Sequence, residues 1–244
     1  MNQTAHYDFT IVVPVYNEEE SLSSLEEVLG DYLPHALYKA CVLLVDDGSS
    51  DHSLERIIDI CRRRPSFFYL SLTHNSGLSA AMKAGIDATH SPFVGYMDAD
   101  LQTVPEDFNL LLVNIARCEL SMGIRLRRQD SFFKIFQSMV ANRFRRMMTH
   151  DGVADTGCPL KVMRTEYAQR IPFFTGMHRF LPALIQLQGG RVEQTVVRHL
   201  PRAAGKSKYH LWNRLVSPFL DCFAYRWMKK RYIRYQVGET NLTA

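Results

Sequence analysis

The sequence predicts an α/β fold with a mostly parallel central sheet flanked by helices. Three observations support this prediction. Short β-branched runs alternate with segments of helical spacing, polar and acidic loops follow several of these runs, and the length suits one such domain. The chain has 244 residues, of which 46% are hydrophobic and 22% charged, so it can bury a sizeable core. This composition excludes a disordered, collagen-like or low-complexity protein.

Five apolar runs bounded by polar residues are predicted to form strands. The first two are Phe9–Val15 and Cys41–Val45, and the later three are Phe67–Leu72, Phe93–Met97 and Leu120–Ile124. In a sheet of this kind, ligands bind at the carboxyl ends of the strands. The residues that follow each run are therefore the first candidates for a functional site.

Helical patterns lie between the strands. One segment carries apolar residues three and four positions apart: Leu54, Ile57, Ile58 and Cys61. Ser50 or Asp51 is a suitable capping residue for this helix. Thr103 and Pro105, followed by two acidic residues, predict the start of another helix. Strand–helix alternation implies crossover connections and hence parallel strands.

The charge is divided unevenly along the chain. Residues 1–124 contain 7 Lys or Arg and 18 Asp or Glu, whereas residues 125–244 contain 22 and 7, although the net charge is only +4. The acidic half could hold a cation and the basic half could face an anion. Chance variation of surface charge along the chain is the alternative.

The cysteines and the hydropathy suggest an intracellular protein. The five cysteines are scattered and form no CxxC pair, which predicts reduced thiols rather than disulfides or a zinc site: Cys41, Cys61, Cys118, Cys158 and Cys222. No apolar stretch approaches the roughly 20 residues of a spanning helix. The N-terminus has no basic region followed by an apolar stretch, so secretion is not predicted.

The loop after the fourth predicted strand is the main candidate for metal binding. Asp98 and Asp100 are two residues apart at the strand end, and Gln102 adds a neutral oxygen. Hard divalent ions such as Mg²⁺ or Mn²⁺ favour these ligands, often together with substrate phosphates. A solvated turn is the alternative. Glycine-rich phosphate-binding motifs are absent, which disfavours a dinucleotide oxidoreductase or a P-loop enzyme.

Seven segments between about residues 9 and 210 extend this pattern: Val12–Glu18, Val45–Asp51, Asn75–Ala81, Asp98–Gln102, Asp155–Cys158, His178–Pro182 and Arg202–Lys208. In this order they resemble glycosyltransferase family 2, and within it the dolichyl-phosphate mannose synthase-like branch. The resemblance implies a nucleotide-sugar-binding fold of the GT-A type. It also implies a catalytic domain over residues 1–208.

The resemblance assigns roles to individual residues. It implies donor binding by ten residues: Pro14, Tyr16, Glu18, Asp47, Asp98, Ala99, Asp100, Arg125, Arg202 and Lys208. Asp98, Asp100 and Arg202 are the implied catalytic residues, and Asp100 and Gln102 are the implied ligands of Mg²⁺ or Mn²⁺. Lys134 and Asp155 are implied to lie near the acceptor phosphate. Lys134 stands where relatives often have Arg, and Gly157-Cys158-Pro159 replaces the usual Gly-Phe-Arg.

The implied reaction moves one hexose or hexosamine from a GDP- or UDP-sugar to a polyprenyl phosphate, with inversion at the anomeric carbon. A phosphate monoester, with a second pKa near 6, is largely dianionic at neutral pH and needs no general base. Transfer to a saccharide hydroxyl of a surface glycan or lipopolysaccharide is the first alternative. A catalytically silent binding subunit with the same fold is the second. Nucleic acid is not an expected partner.

Residues 209–244 are predicted to form amphipathic membrane-interfacial helices and a tail. Large apolar residues recur at helical spacing: Trp212, Leu215, Val216, Phe219, Leu220, Phe223 and Trp227. Basic residues follow them, a combination typical of a helix that lies on an anionic leaflet. Pro218 is predicted to end one helix and start the next. The chain is thus expected to be peripheral on the cytoplasmic face of the membrane, or recruited by a membrane-anchoring protein partner; a terminal helix docked on the core is the alternative.

Overall fold

The structure, a computed structural model, describes residues 6–125, 143–200, 211–233 and 238–239, and gives only the backbone of 211–218. Its sheet has seven strands: β1 (Phe9–Val15), β2 (Ala40–Asp46), β3 (Phe67–Ser71), β4 (Phe93–Tyr96), β5 (Leu120–Ile124), β6 (Lys161–Arg164) and β7 (Val192–Val196). Their order is β3-β2-β1-β4-β6-β5-β7. Strand β6 is antiparallel to β4 and β5, and all other neighbours are parallel. The predicted mostly parallel sheet is confirmed.

The helices follow the strands in the alternation that the sequence predicts. They are α1 (Leu22–Tyr32), α2 (Ser53–Arg63), α3 (Leu78–Asp87), α4 (Phe108–Asn114), helical residues 143–149, which we call α5, α6 (Thr165–Gln169), α7 (Leu181–Leu187) and α8 (Leu211–Arg231). Three short 3-10 turns occupy Leu33–His35, Pro105–Asp107 and Met177–Arg179.

Hydrophobic cores lie on both faces of the sheet. Phe9, Ile11 and Val13 of β1 pack with α1, α2 and α4, whereas Val12 packs on the other face with α3, α6, α7 and α8. This alternation follows from the two-residue period of a strand. A sheet covered on both faces needs strands that are apolar on both sides, and all seven residues of β2 are indeed buried.

The five predicted strands are confirmed to within one residue at each end. The helix predicted after Ser50 or Asp51 begins at Ser53, whose N–H donates to the Asp51 carboxylate over 2.9 Å. Thr103 precedes a 3-10 turn that begins at Pro105 and leads into α4. Strands β6 and β7 were not predicted.

The prediction that Pro218 separates two helices is wrong. Helix α8 runs without interruption from Leu211 to Arg231. Proline removes one N–H donor and crowds the preceding turn. The helix continues past it into a segment whose Cys222 and Tyr225 are each only 2% exposed, and this packing supports helical structure beyond the proline.

Candidate active site

The candidate site lies at the carboxyl edge of the central strands. Strands β1, β2, β4 and β5 run in one direction, so the loops after them meet at one edge. The antiparallel strand β6 begins at that same edge. These five chain segments therefore converge there, and the predicted residues Tyr16, Asp47, Asp98 and Arg125 each follow a strand that ends at it.

The loops after β1 and β2 are joined by hydrogen bonds. Asn17, in the left-handed region with φ of 51°, receives a bond from the Ser50 N–H at 2.8 Å, and its own N–H donates to Ser49 Oγ at 3.0 Å. The side chain of Glu18 accepts a bond from Ser21 Oγ at 3.1 Å. Tyr16, beside this junction, is 37% exposed. Its side chain is therefore partly exposed at the sheet edge.

Asp47 is a buried acceptor of hydrogen bonds within the site. Its carboxylate receives the N–H groups of Ser76 and Gly77 at 2.8 and 2.9 Å and the amide of Asn75 at 3.0 Å. The residue is 3% exposed. These bonds fix the segment that leads into α3. Direct contact of Asp47 with a donor stays a prediction.

The Asp98–Gln102 segment carries the two carboxylates of the predicted metal site. The hydroxyl of Tyr96 donates to Asp98, and the Gln102 N–H donates to Asp100 Oδ1 at 3.2 Å. Burial raises the pKa of Asp98, and the charge of Asp100 adds to this effect. Ala99 between them is buried. Two carboxylates held this close create a negative site that a cation would stabilise.

Arg125 and Asp155, predicted separately, form one ion pair. The guanidinium donates to both carboxylate oxygens, over 2.8 Å from Nε and 2.9 Å from Nη2. Only 12% and 11% of the two side chains are exposed. Burial alone would raise the pKa of Asp155, but the hydrogen bonds and charge of Arg125 outweigh it and hold the pKa below its usual value. This bidentate geometry orients the guanidinium beside the Asp98 loop.

The sequence analysis missed Lys161, the first residue of β6. Lys161 is 2% exposed, and its ammonium donates to the Cys158 carbonyl. It pairs with Tyr96 in the register of β4 and β6. A lysine inside the apolar run from Leu160 to Met163 was the available signal.

His178 is half-buried and shares a hydrogen bond with Ser79. Its Nδ1 is 2.9 Å from Ser79 Oγ, which also accepts the Gly176 N–H at 3.1 Å. Burial, followed by the charges of Arg179 and Lys161, lowers the pKa of His178 to about 3. His178 is therefore neutral at physiological pH and is a weak base.

Three predicted site residues lie outside the described residues: Lys134, Arg202 and Lys208. The chain before the last two approaches the Asp98–Gln102 segment, because the Leu200 N–H donates to the Gln102 carbonyl at 2.9 Å and His199 forms a bridge with Thr103. In the described part of the chain, no group of three or more His, Cys, Asp or Glu side chains could hold a metal ion. No helix there combines the length and apolarity needed to cross a bilayer.

Comparison with known proteins decides the family. The model of the family described as "Glycosyl transferase family 2" matches residues 10–171. The chain belongs to glycosyl transferase family 2. The matched region contains the loops after β1, β2 and β4, the Arg125–Asp155 pair and the start of β6. Helices α7 and α8 and strand β7 lie beyond it.

One curated protein and one solved structure are similar to this chain. A dodecaprenyl-phosphate galacturonate synthase from Rhizobium johnstonii is 32% identical over 208 residues, or 83% of this chain, and the chain spans 62% of that protein's length. A mannosyltransferase from Pyrobaculum calidifontis, solved with GDP-Man and Mn²⁺, is 20% identical with a TM-score of 0.63 over 91% of this chain and 64% of its own.

This chain matches a larger share of a second solved structure. The glucosyl-3-phosphoglycerate synthase from Mycobacterium tuberculosis, solved with Mn²⁺, UDP and glucosyl-3-phosphoglycerate, has a TM-score of 0.68 at 15% identity, over 98% of this chain and 85% of its own. Likeness at this level of identity establishes a shared fold. The GT-A type architecture expected from the family resemblance is confirmed.

Proposed function

We propose that this chain is an inverting glycosyltransferase that moves one sugar from a nucleotide sugar to a polyprenyl phosphate. The observation that carries the proposal is the joining of Asp98, Asp100 and the Arg125–Asp155 pair at one sheet edge in a family 2 fold. The polyprenyl-phosphate acceptor is proposed because the galacturonate synthase, 32% identical, is named for such a substrate.

The donor nucleoside is proposed to bind over the loops after β1 and β2. Pro14 and Tyr16 offer apolar and aromatic surface, and Glu18 offers a carboxylate to hydroxyl or amide donors. The bonds between Asn17 and Ser50 hold this surface in place before a ligand arrives. Asp47 contributes by fixing the neighbouring 75–77 segment, and its donor contact is part of the proposal.

Asp100 and Gln102 are proposed to hold Mg²⁺ or Mn²⁺ beside the donor diphosphate, with Asp98 and Ala99 against the sugar. The residues fit a hard cation, because their oxygen atoms are its preferred ligands and the adjacent carboxylates repel one another. When bound, the ion would neutralise charge on the departing nucleoside diphosphate. Arg125, oriented by Asp155, adds a fixed positive charge near the same group. Arg202 and Lys208 are proposed to add further charge from the basic half.

The acceptor side of the proposal needs no general base. A monophosphate is largely dianionic at neutral pH and can attack the anomeric carbon directly. His178, with its pKa lowered to about 3, is poorly suited to take a proton from a hydroxyl acceptor. Lys134 and Asp155 are proposed to lie near this phosphate, and Asp155 acts there through the guanidinium that it orients.

A lipid acceptor requires a surface that approaches the bilayer, and α8 provides one. Phe219, Leu220, Phe223 and Trp227 are 47–65% exposed, and they lie opposite the buried Tyr225. We call these four residues the outward apolar face. Arg226, Lys230 and Arg231 continue the same side of the helix toward its C-terminal end. Aromatic residues next to cations fit the anionic cytoplasmic leaflet, where we propose that the chain acts, by itself or with a membrane-anchoring protein partner.

The transfer proposal can be tested with the purified full chain. Protein is incubated with Mn²⁺, radiolabelled GDP- and UDP-sugars and a short polyprenyl phosphate, and label is extracted into chloroform. We expect extractable label with one donor and its loss in Asp100→Ala, which removes a ligand of the ion. Asp87→Ala, an exposed acid on α3, is the matched control and should keep activity.

Three outcomes separate the alternatives. Label found only in a polysaccharide fraction would replace the lipid acceptor by a saccharide hydroxyl. Absence of label with every donor, while nucleotide still binds, would indicate a silent binding subunit. Unchanged turnover in Asp100→Ala would remove the metal assignment.

A further inference from the structure

Lys161 is a buried cation at the centre of the candidate site. It starts β6 opposite Tyr96 on β4 and Met122 on β5. Residues directly opposite in an antiparallel pair project from the same face. Its ammonium accordingly lies 5.7 Å from the centre of the Tyr96 ring, and it donates a hydrogen bond to the Cys158 carbonyl.

The charges around Lys161 explain how an ammonium is tolerated there. Burial lowers the pKa of Lys161, while Cys158 and the carboxylates Asp98 and Asp155 oppose that shift. Arg125 acts in the same direction as burial, as a second cation. Lys161 and Arg125 thus face Asp98, Asp155 and the nearby Asp100. Without Lys161, Arg125 would be the one buried cation among these three carboxylates in the part of the chain that the structure describes.

The contacts of Lys161 connect the two halves of the site. On one side lies the Tyr96 ring, whose hydroxyl donates to Asp98. On the other side lies the Cys158 carbonyl, three residues after the Asp155 that binds Arg125. We propose that Lys161 is a positioning residue of the transfer site, which offsets the charge of Asp98 and ties its loop to the Arg125–Asp155 pair.

This inference rests on the proposed function, but part of it can be measured without turnover. A cation beside a carboxylate cluster weakens the attraction of that cluster for a divalent ion. Lys161→Met removes the charge at similar size. It should therefore bind Mn²⁺ roughly three- to tenfold more tightly. Its kcat should fall at least about tenfold, with a smaller change in the KM of the donor, because Asp98 is no longer held in place.

The experiment compares Lys161→Met and Lys161→Arg with Lys39→Met. Lys39 is a matched control, because its ammonium also lies near a tyrosine ring, 5.5 Å from that of Tyr7, but it is exposed and remote from the site. Free Mn²⁺ is counted by electron paramagnetic resonance. Lys161→Arg should return Mn²⁺ affinity to the wild-type value and restore part of kcat. Weaker Mn²⁺ binding in Lys161→Met, or values equal to those of Lys39→Met, would overturn the proposal.

If Lys161→Met folds poorly, a double-mutant cycle of Tm values with Asp98→Asn tests the same pairing. If Lys161 offsets Asp98, removing both charges should recover about half or more of the Tm lost in Lys161→Met. Additive losses in the double variant would contradict the pairing. Wild-type transfer fails only if the proposed function is wrong, whereas the cycle and the Mn²⁺ measurement fail only if the role of Lys161 is wrong.

Discussion

At the residue scale, the turn after β2 approaches the backbone of the 74–77 segment so closely that only glycine fits. Gly48 has a φ of +64°, and a Cβ there would lie 2.4 Å from the carbonyl carbon of His74 and 2.6 Å from the N of Asn75. The neighbouring Asp47 carboxylate accepts hydrogen bonds from Ser76 and Gly77. The turn after β2 therefore packs directly on the backbone of the 74–77 segment and holds it by hydrogen bonds.

Gly48→Ala should consequently cost more stability than its backbone conformation alone requires. Gly152→Ala is the matched control, because Gly152 has a similar φ of +68° and open space around it. We expect a loss of about 1 kcal/mol for Gly152→Ala from the left-handed conformation. For Gly48→Ala we expect about 2–4 kcal/mol, since the 74–77 backbone must move as well. Urea unfolding measures the free energy of unfolding of both variants. Equal losses would show that the close approach at Gly48 does not affect stability.

At the element scale, α8 has two different faces. The inner face docks on the core, where Tyr225 stacks on Phe180 at 6.1 Å and donates to the Ala183 carbonyl at 3.3 Å. On the outward apolar face, Phe219 packs on Phe144 of α5 at 4.8 Å, and Arg231 lies 5.6 Å from the Trp227 ring. Phe219, Leu220, Phe223 and Trp227 are therefore largely exposed, although Phe219 also packs on α5, whereas Cys222 and Tyr225 dock the helix on the core.

The outward apolar face predicts binding to anionic bilayers. Wild-type protein should sediment with vesicles of phosphatidylglycerol and phosphatidylcholine. Phe223→Ser with Trp227→Ser should reduce the partition coefficient at least about tenfold, because two aromatic side chains no longer enter the interface. Lys230→Gln with Arg231→Gln should reduce it by a similar factor, since each cation contributes about 1 kcal/mol.

The control for this measurement is a second pair of exposed apolar residues. Leu110 and Val113 on α4 are 48% and 61% exposed, and α4 packs on the face of the sheet opposite to that of α8. Leu110→Ser with Val113→Ser should bind vesicles like the wild type. Equal binding by the α8 and α4 variants would exclude the outward apolar face as the lipid contact. Failure of the wild type to bind vesicles would instead favour a membrane-anchoring protein partner.

At the scale of the whole molecule, the sequence predicted what local patterns determine. Four of the five predicted strands are largely buried, and their apolar runs follow from a sheet covered on both faces, whereas the edge strand β3 is an apolar run that is mostly exposed. Strand β7 was missed because Val192–Val196 has apolar residues only at its two ends and is only half-buried. Strand β6 was missed because it has four residues and begins and ends with a charge. The insertion of β6 between β4 and β5 depends on tertiary packing, which no local pattern records.

The candidate site residues were predicted one by one from the sequence, whereas the contacts between their side chains were not. Asp98 and Asp100 are neighbours in sequence, so their proximity follows from the motif itself. Arg125 and Asp155 are 30 residues apart, and their bidentate contact requires β5 and β6 to lie side by side. Lys161 went unnoticed for the same reason, because its partners lie on β4 and in the loop before β6.

The division of charge predicts how a donor will affect the whole fold. Carboxylates from residues 1–124 and cations from residues 125–244 converge at one sheet edge, and Arg125 and Lys161 from the later half already face Asp98 there. A diphosphate with a divalent ion completes this arrangement. The donor should therefore bind the folded state alone and stabilise it according to its concentration and affinity.

Thermal unfolding with a panel of nucleotide sugars tests this linkage. At a concentration about 100 times its Kd, a donor adds about 2.7 kcal/mol, which raises the Tm of a protein of this size by roughly 5–10 °C. We expect this shift for one nucleotide class, only with Mn²⁺ or Mg²⁺ present, and largely lost in Asp100→Ala. Asp87→Ala should keep the full shift. A shift that is independent of metal in the wild type would show that cations of the protein alone hold the diphosphate.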